Sequence, residues 1–140
     1  MKLIELFEQQ HWTAMDVVRD ILGPDNVVDD LVTPEEEFKE HHFIVTHSWS
    51  NRMPNMFADM DTDTGCICLS DRYGTSPKAI AVAAHEAYHA WLHQNKKQYD
   101  DEKHVNILAT KWLQQHLSGM QLHAALNTIL HSKIHYGHNN

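Results

Sequence analysis

Five consecutive residues, His85-Glu86-Ala87-Tyr88-His89, combine the side chains needed to hold a metal ion and to move a proton beside it. On a helix, positions four apart are separated by slightly more than one turn, so both imidazoles leave the same face and can grip one ion together. Glu86 leaves in another direction, which suits its carboxylate to handling a water molecule next to the ion rather than to ligation. The pattern points to metal-assisted hydrolysis, the plain alternative being two helix-face histidines beside a solvated glutamate.

The flanking residues supply the helix that this spacing requires. Ser76-Pro77 gives a cap followed by proline at the first helical position, and the run from Ala79 to Leu92 carries Ala, Ile, Val, Trp and Leu with no breaker. So apolar a helix is expected to be buried, where three ionisable residues are costly unless a cation pairs them. A hydrolytic zinc site takes three protein ligands and keeps a fourth position for water, and one helix cannot place all three. The third is therefore sought on the next element. His104, fifteen residues after His89 and near the start of the following helix, is the leading candidate, with Glu102, Asp101 and Asp100 as competitors.

Length and charge bound the setting. At 140 residues the chain is expected to form one domain with a core of its own. A formal charge of −8, with scattered basic residues and Lys96-Lys97 as the only adjacent pair, argues against a dedicated polyanion-binding surface. Cys66 and Cys68 are too close for an ordinary disulfide and too few for a structural zinc site, so they read as buried, reduced thiols. Glu5 and Glu8 interrupt the apolar run near Lys2, and no stretch reaches membrane-spanning length. These features lead us to expect a cytoplasmic protein with no membrane contact.

Around the metal-binding helix, the pattern predicts an α+β fold with a small three-stranded sheet packed on helices. Apolar positions from Leu3 to Leu22 recur at helical spacing and stop at Gly23-Pro24. The acidic stretch from Asp25 to Glu40 reads as a connection with one short helical turn. Strands are expected over 43–49, 56–60 and 66–70, with a hairpin turn rather than a calcium loop at 59–65, because Thr64 and Ser70 stand where a calcium loop needs glycine and an acidic residue. A helix from about Asp101 presents Val105, Leu108, Ala109, Trp112 and Leu113 and ends at Ser118-Gly119. A last helix runs from Met120 to about His135, and His131, His135 and His138 read as surface residues of its exposed, fraying end.

From about Phe43 to Leu108, roughly half the chain, the sequence resembles the SprT-like metallopeptidase domain shared by bacterial SprT and the Spartan proteases that degrade proteins crosslinked to DNA. The residues carrying this resemblance are Trp49-Ser50 with Arg52-Met53, the strand Cys66-Ile67-Cys68-Leu69-Ser70, and His85-Glu86-Ala87-Tyr88-His89-Ala90-Trp91-Leu92. The family's third histidine falls at His104. The family's histidine-glycine-aromatic tail is replaced here by His104-Val105 with Leu108. The same helix and strand also resemble the ImmA/IrrE-like peptidases, which take a glutamate as third ligand before an Ala-rich helix. Glu102 can be read in that place, although the chain up to His104 follows the SprT-like spacing more closely.

The SprT-like resemblance implies a minimal zincin-like peptidase spanning the whole chain as one domain, with Zn2+ held by His85, His89 and His104 and with Glu86 as general base for peptide-bond hydrolysis. It further implies a protein substrate and a DNA-associated setting, although no zinc-ribbon cysteines or basic tail accompany the motif here. Tyr73, Tyr88 and Tyr99 are candidates for stabilising the oxyanion. The alternatives are a zinc-stabilised binding module without hydrolysis and an ImmA/IrrE-like regulatory peptidase.

Overall fold

The computed structural model describes residues 12–38, 43–46, 65–95 and 102–131. Helix α1, Ala14–Leu22, begins at a reciprocal cap in which the Asp16 amide donates to the Thr13 hydroxyl and the Thr13 amide donates to the Asp16 carboxylate, each at 3.1 Å. It ends at Gly23, whose φ of 97° only glycine adopts readily. The expected first turns, at residues 1–11, lie outside the described residues. Within α1, Met15, Val17, Val18 and Leu22 form a buried face against the long central helix.

The sheet has three short strands in the order β1 (Val27–Asp29), β2 (Phe43–Thr46) and β3 (Gly65–Cys68), all parallel. Val27 pairs with Phe43, which in turn pairs with Gly65. Strand β2 falls within the expected stretch 43–49, and β3 overlaps the stretch 66–70 but starts one residue earlier, at Gly65. The strand expected over 56–60 and the turn preceding Gly65 lie outside the described residues. β1 corrects the sequence reading, which placed 25–40 in a connection. Its three residues are too few to show an alternating pattern, and it sits among acidic neighbours. Val27 and Val28 are nevertheless buried, and a long-range arginine neutralises Asp29.

Helix α2, Pro77–Asn95, carries His85, Glu86 and His89 and is the hub of the fold, packing against α1, β3 and the two helices that follow. Its start is as expected: the Ser76 hydroxyl accepts from the Ala79 amide at 3.1 Å. Six buried alanines, at 79, 81, 83, 84, 87 and 90, keep it slim enough for neighbours on several sides. Helix α3, Glu102–His116, buries Val105, Ala109, Trp112 and Leu113, while α4, Gly119–His131, buries Ala125 and Ile129. Cys66 is buried and Cys68 half-buried. No helix among the described residues is long and apolar enough to cross a membrane.

Candidate metal centre

Three side chains converge between α2 and the first turn of α3. His85, His89 and Glu102 each offer a ligand atom, and these atoms lie within 4.8 Å of one another. His85 Nε2 is 3.2 Å from Glu102 Oε1, and His89 Nε2 is 3.0 Å from Glu102 Oε2. The two imidazoles lie edge to face with centroids 4.8 Å apart, as expected for side chains one turn apart on the same helical face. Both histidines are buried and Glu102 is half-buried, so the cluster opens to solvent on the carboxylate side.

His104 is not among the converging groups. Helical geometry accounts for this. Two residues along a helix rotate the side chain by about 200°, so when Glu102 faces α2 in the first turn, His104 emerges on nearly the opposite side. The face of α3 that follows Glu102 is Val105, Asn106 and Ala109, at helical spacings of three, four and seven. Asp100, Asp101 and Tyr99 lie outside the described residues.

Asn106, absent from the sequence-based candidates, completes the arrangement. Its Oδ1 is 3.0 Å from His85 Nδ1 and accepts the proton of that ring nitrogen, which turns the Nε2 lone pair toward the Glu102 carboxylate. Two imidazole nitrogens and a carboxylate converge on a common point, and with the histidines neutral such a set suits a divalent cation. One sequence signal could have revealed Asn106. It lies four residues after Glu102, on the helical face whose remaining members are apolar.

The electrostatics follow the same geometry. Burial alone would lower the His85 pKa, but Glu102, the nearby Glu86 and Asn106 outweigh it and leave the value raised. Glu86 keeps some solvent contact while its carboxyl group is crowded by protein. That crowding and the Glu102 charge raise its pKa, His85 opposes them, and the result is a value of about 7. A carboxylate poised near neutrality can both take and return a proton.

The tyrosine candidates separate. Tyr88 is half-buried and lies edge to face with Trp91 at 6.3 Å, a packing role. Tyr73 is half-exposed and donates its hydroxyl hydrogen to Asp29, away from the histidine cluster in sequence and in partners. Asp29 also takes Arg72, which reaches Asp30 at 2.7 Å and the Val45 carbonyl at 3.3 Å. This polar network, like Asn106, was not foreseen from the sequence. Comparison of the chain with family models, with curated proteins and with solved structures finds no match.

Proposed function

We propose that this chain is a zinc-dependent peptidase whose metal is held by His85, His89 and Glu102. The convergence of those three groups beside Glu86 carries the reading. A metal bound there lowers the pKa of water and polarises a scissile carbonyl. The residues of the chain supply the rest. His85 and His89 present neutral nitrogens, Asn106 fixes the orientation of His85, and the Glu102 carboxylate offsets one unit of the ion's charge. Glu86 takes the proton of the attacking water and delivers it to the departing amine, and its position near neutrality suits both directions of transfer.

Glu102 as third ligand favours the ImmA/IrrE-like resemblance over the SprT-like one. The substrate class is a protein. A nucleic-acid setting, implied only by the SprT-like resemblance, is disfavoured by the charge of −8. The test is cleavage of casein, and of the chain itself, by metal-loaded protein with and without a chelator, alongside the Glu86→Gln variant. Metal-dependent cleavage that Glu86→Gln abolishes is the expected result. Metal bound in stoichiometric amount with no cleavage of either substrate would instead favour a zinc-stabilised binding module.

A further inference from the structure

Helix α3 carries Glu102 in its first turn and His116 in its last, and its far end is tied to α1. The Trp112 indole N–H donates to Asp20 Oδ2 at 2.8 Å, across 92 residues of sequence. Trp112 is buried, and its indole is clasped on two sides. His116 stacks on it with centroids 4.0 Å apart and planes within 14°, while Trp12 meets it edge to face at 5.0 Å. His116 is itself held, because its Nδ1 lies 2.8 Å from the Trp112 carbonyl and donates to it. The indole that reaches Asp20 is therefore kept in one orientation.

This tie bears on the metal centre through the stiffness of α3. Ten residues, about 15 Å of helix, separate Trp112 from Glu102, and a hydrogen-bonded helix of that length turns as one body. Val105 and Ala109 select the side of α3 that meets α2. Apolar contact is non-directional, and alanine is small, so these residues leave the helix room to turn by a fraction of a residue step. Directional bonds remove that freedom. Asn106 supplies one beside the histidines, and Trp112 supplies another from a ring that projects well away from the helix axis. A turn of α3 that carries the Glu102 carboxylate off His85 and His89 also pulls the indole N–H off Asp20.

We propose, resting on the reading of His85, His89 and Glu102 as metal ligands, that Asp20 and Trp112 are positioning residues of that centre: their hydrogen bond fixes the rotation of α3 that holds Glu102 over the two histidines.

The test is cobalt(II) binding to the full chain, followed by its visible absorption, which reports ligand geometry, and by competition with a chromogenic chelator. Trp112→Phe keeps an aromatic ring in the core and removes the N–H. Asp20→Ala, at a side chain 44 % exposed, removes the acceptor with little risk to the fold, and Asp20→Asn keeps an oxygen that accepts. Trp112→Phe and Asp20→Ala should each weaken cobalt binding by about tenfold, the low end of the loss usual for residues that orient a ligand, and should alter the absorption band while far-ultraviolet circular dichroism stays unchanged. Asp20→Asn should restore the wild-type affinity and spectrum. A purely structural tie would lower the unfolding midpoint and leave both cobalt readouts as in wild type, and that result overturns the proposal. So does a loss confined to Trp112→Phe, which assigns the effect to ring packing, or an Asp20→Asn protein as weak as Asp20→Ala. A wild-type chain that binds no cobalt overturns the metal centre itself, and the positioning role with it.

Discussion

Among the described residues, two polar clusters with buried members are built on opposite principles. In the network at the carboxyl ends of β1 and β2, Asp29 receives Arg72, the Tyr73 hydroxyl and the Leu31 amide at 3.0 Å, while Arg72 also reaches Asp30. Donors there meet acceptors, with one guanidinium serving two carboxylates. In the cluster between α2 and α3, two imidazole nitrogens and a carboxylate face one another, and the donor capacity of His85 is turned outward to Asn106. The first arrangement is complete as a piece of structure. The second gains when a cation is added, and this difference, more than burial, separates a fold-holding polar cluster from a candidate reaction centre.

The largest predicted effects lie in the cluster of His85, His89 and Glu102. Glu86→Gln should retain metal and lose hydrolysis by about 10²- to 10⁴-fold, the range usual for a general base. His85→Ala should lose both metal and hydrolysis. Measuring zinc content alongside activity separates the two roles, and a fully active Glu86→Gln protein refutes the assignment. Glu102→Gln should likewise release metal, whereas His104→Gln should leave the zinc content close to wild type. The reverse result would return the third ligand to His104.

Breaking the balanced network should instead unfold the chain. Arg72→Ala strands Asp29, which is only 2 % exposed, beside an uncompensated charge, and should cost about 3–5 kcal/mol in chemical denaturation. A nearly unchanged denaturation midpoint would mean that water reaches Asp29 freely.

Between these clusters, Asn106 is a graded test. Removing a side chain that orients a ligating histidine typically costs about 10- to 100-fold in metal affinity, so Asn106→Ala should weaken zinc by that factor, and Asn106→Asp should preserve or tighten it. Competition with a chromogenic chelator gives both numbers. Equal affinity in all three proteins would remove Asn106 from the site.

These tests also mark where the sequence was readable. The helix bearing His85 and His89 was legible because its cap, its apolar run and its ligand spacing are all local, and the fold class followed from the same kind of signal. The third converging group was only half legible. Glu102 and His104 both lie near the start of α3, and the choice between them depends on the rotational phase of that helix, which is set by packing of Val105 and Ala109 against α2. β1 and the Asp29–Arg72–Tyr73 network were not legible. β1 is three residues long, and Arg72 and Tyr73 lie more than forty residues from Asp29, so no short-range pattern announces a charge neutralised at that range.

Acidification should take the two clusters apart in a fixed order. His85 carries a pKa above its ordinary value of 6.5, so falling pH protonates it early and removes the lone pair that metal binding needs. Metal should therefore leave as pH drops through the neutral-to-mildly-acidic range. In the metal-free protein the raised pKa has the opposite consequence for folding. A proton shared with Glu102 stabilises the native state, fully so below 6.5, and this contribution is lost only as pH rises through the native value. Metal loss on acidification should thus leave the fold standing. Burial pushes the Asp29 carboxyl upward, but Tyr73, the Leu31 amide and Arg72 outweigh it and hold its pKa below the ordinary 3.8. Its contribution is present above 3.8 and disappears as pH falls through the native value, so unfolding should follow in stronger acid. Zinc content and far-ultraviolet circular dichroism measured on the same pH series check the order. Loss of helix together with zinc would mean that the ion, rather than the Asp29–Arg72 network, holds α2 and α3 in place.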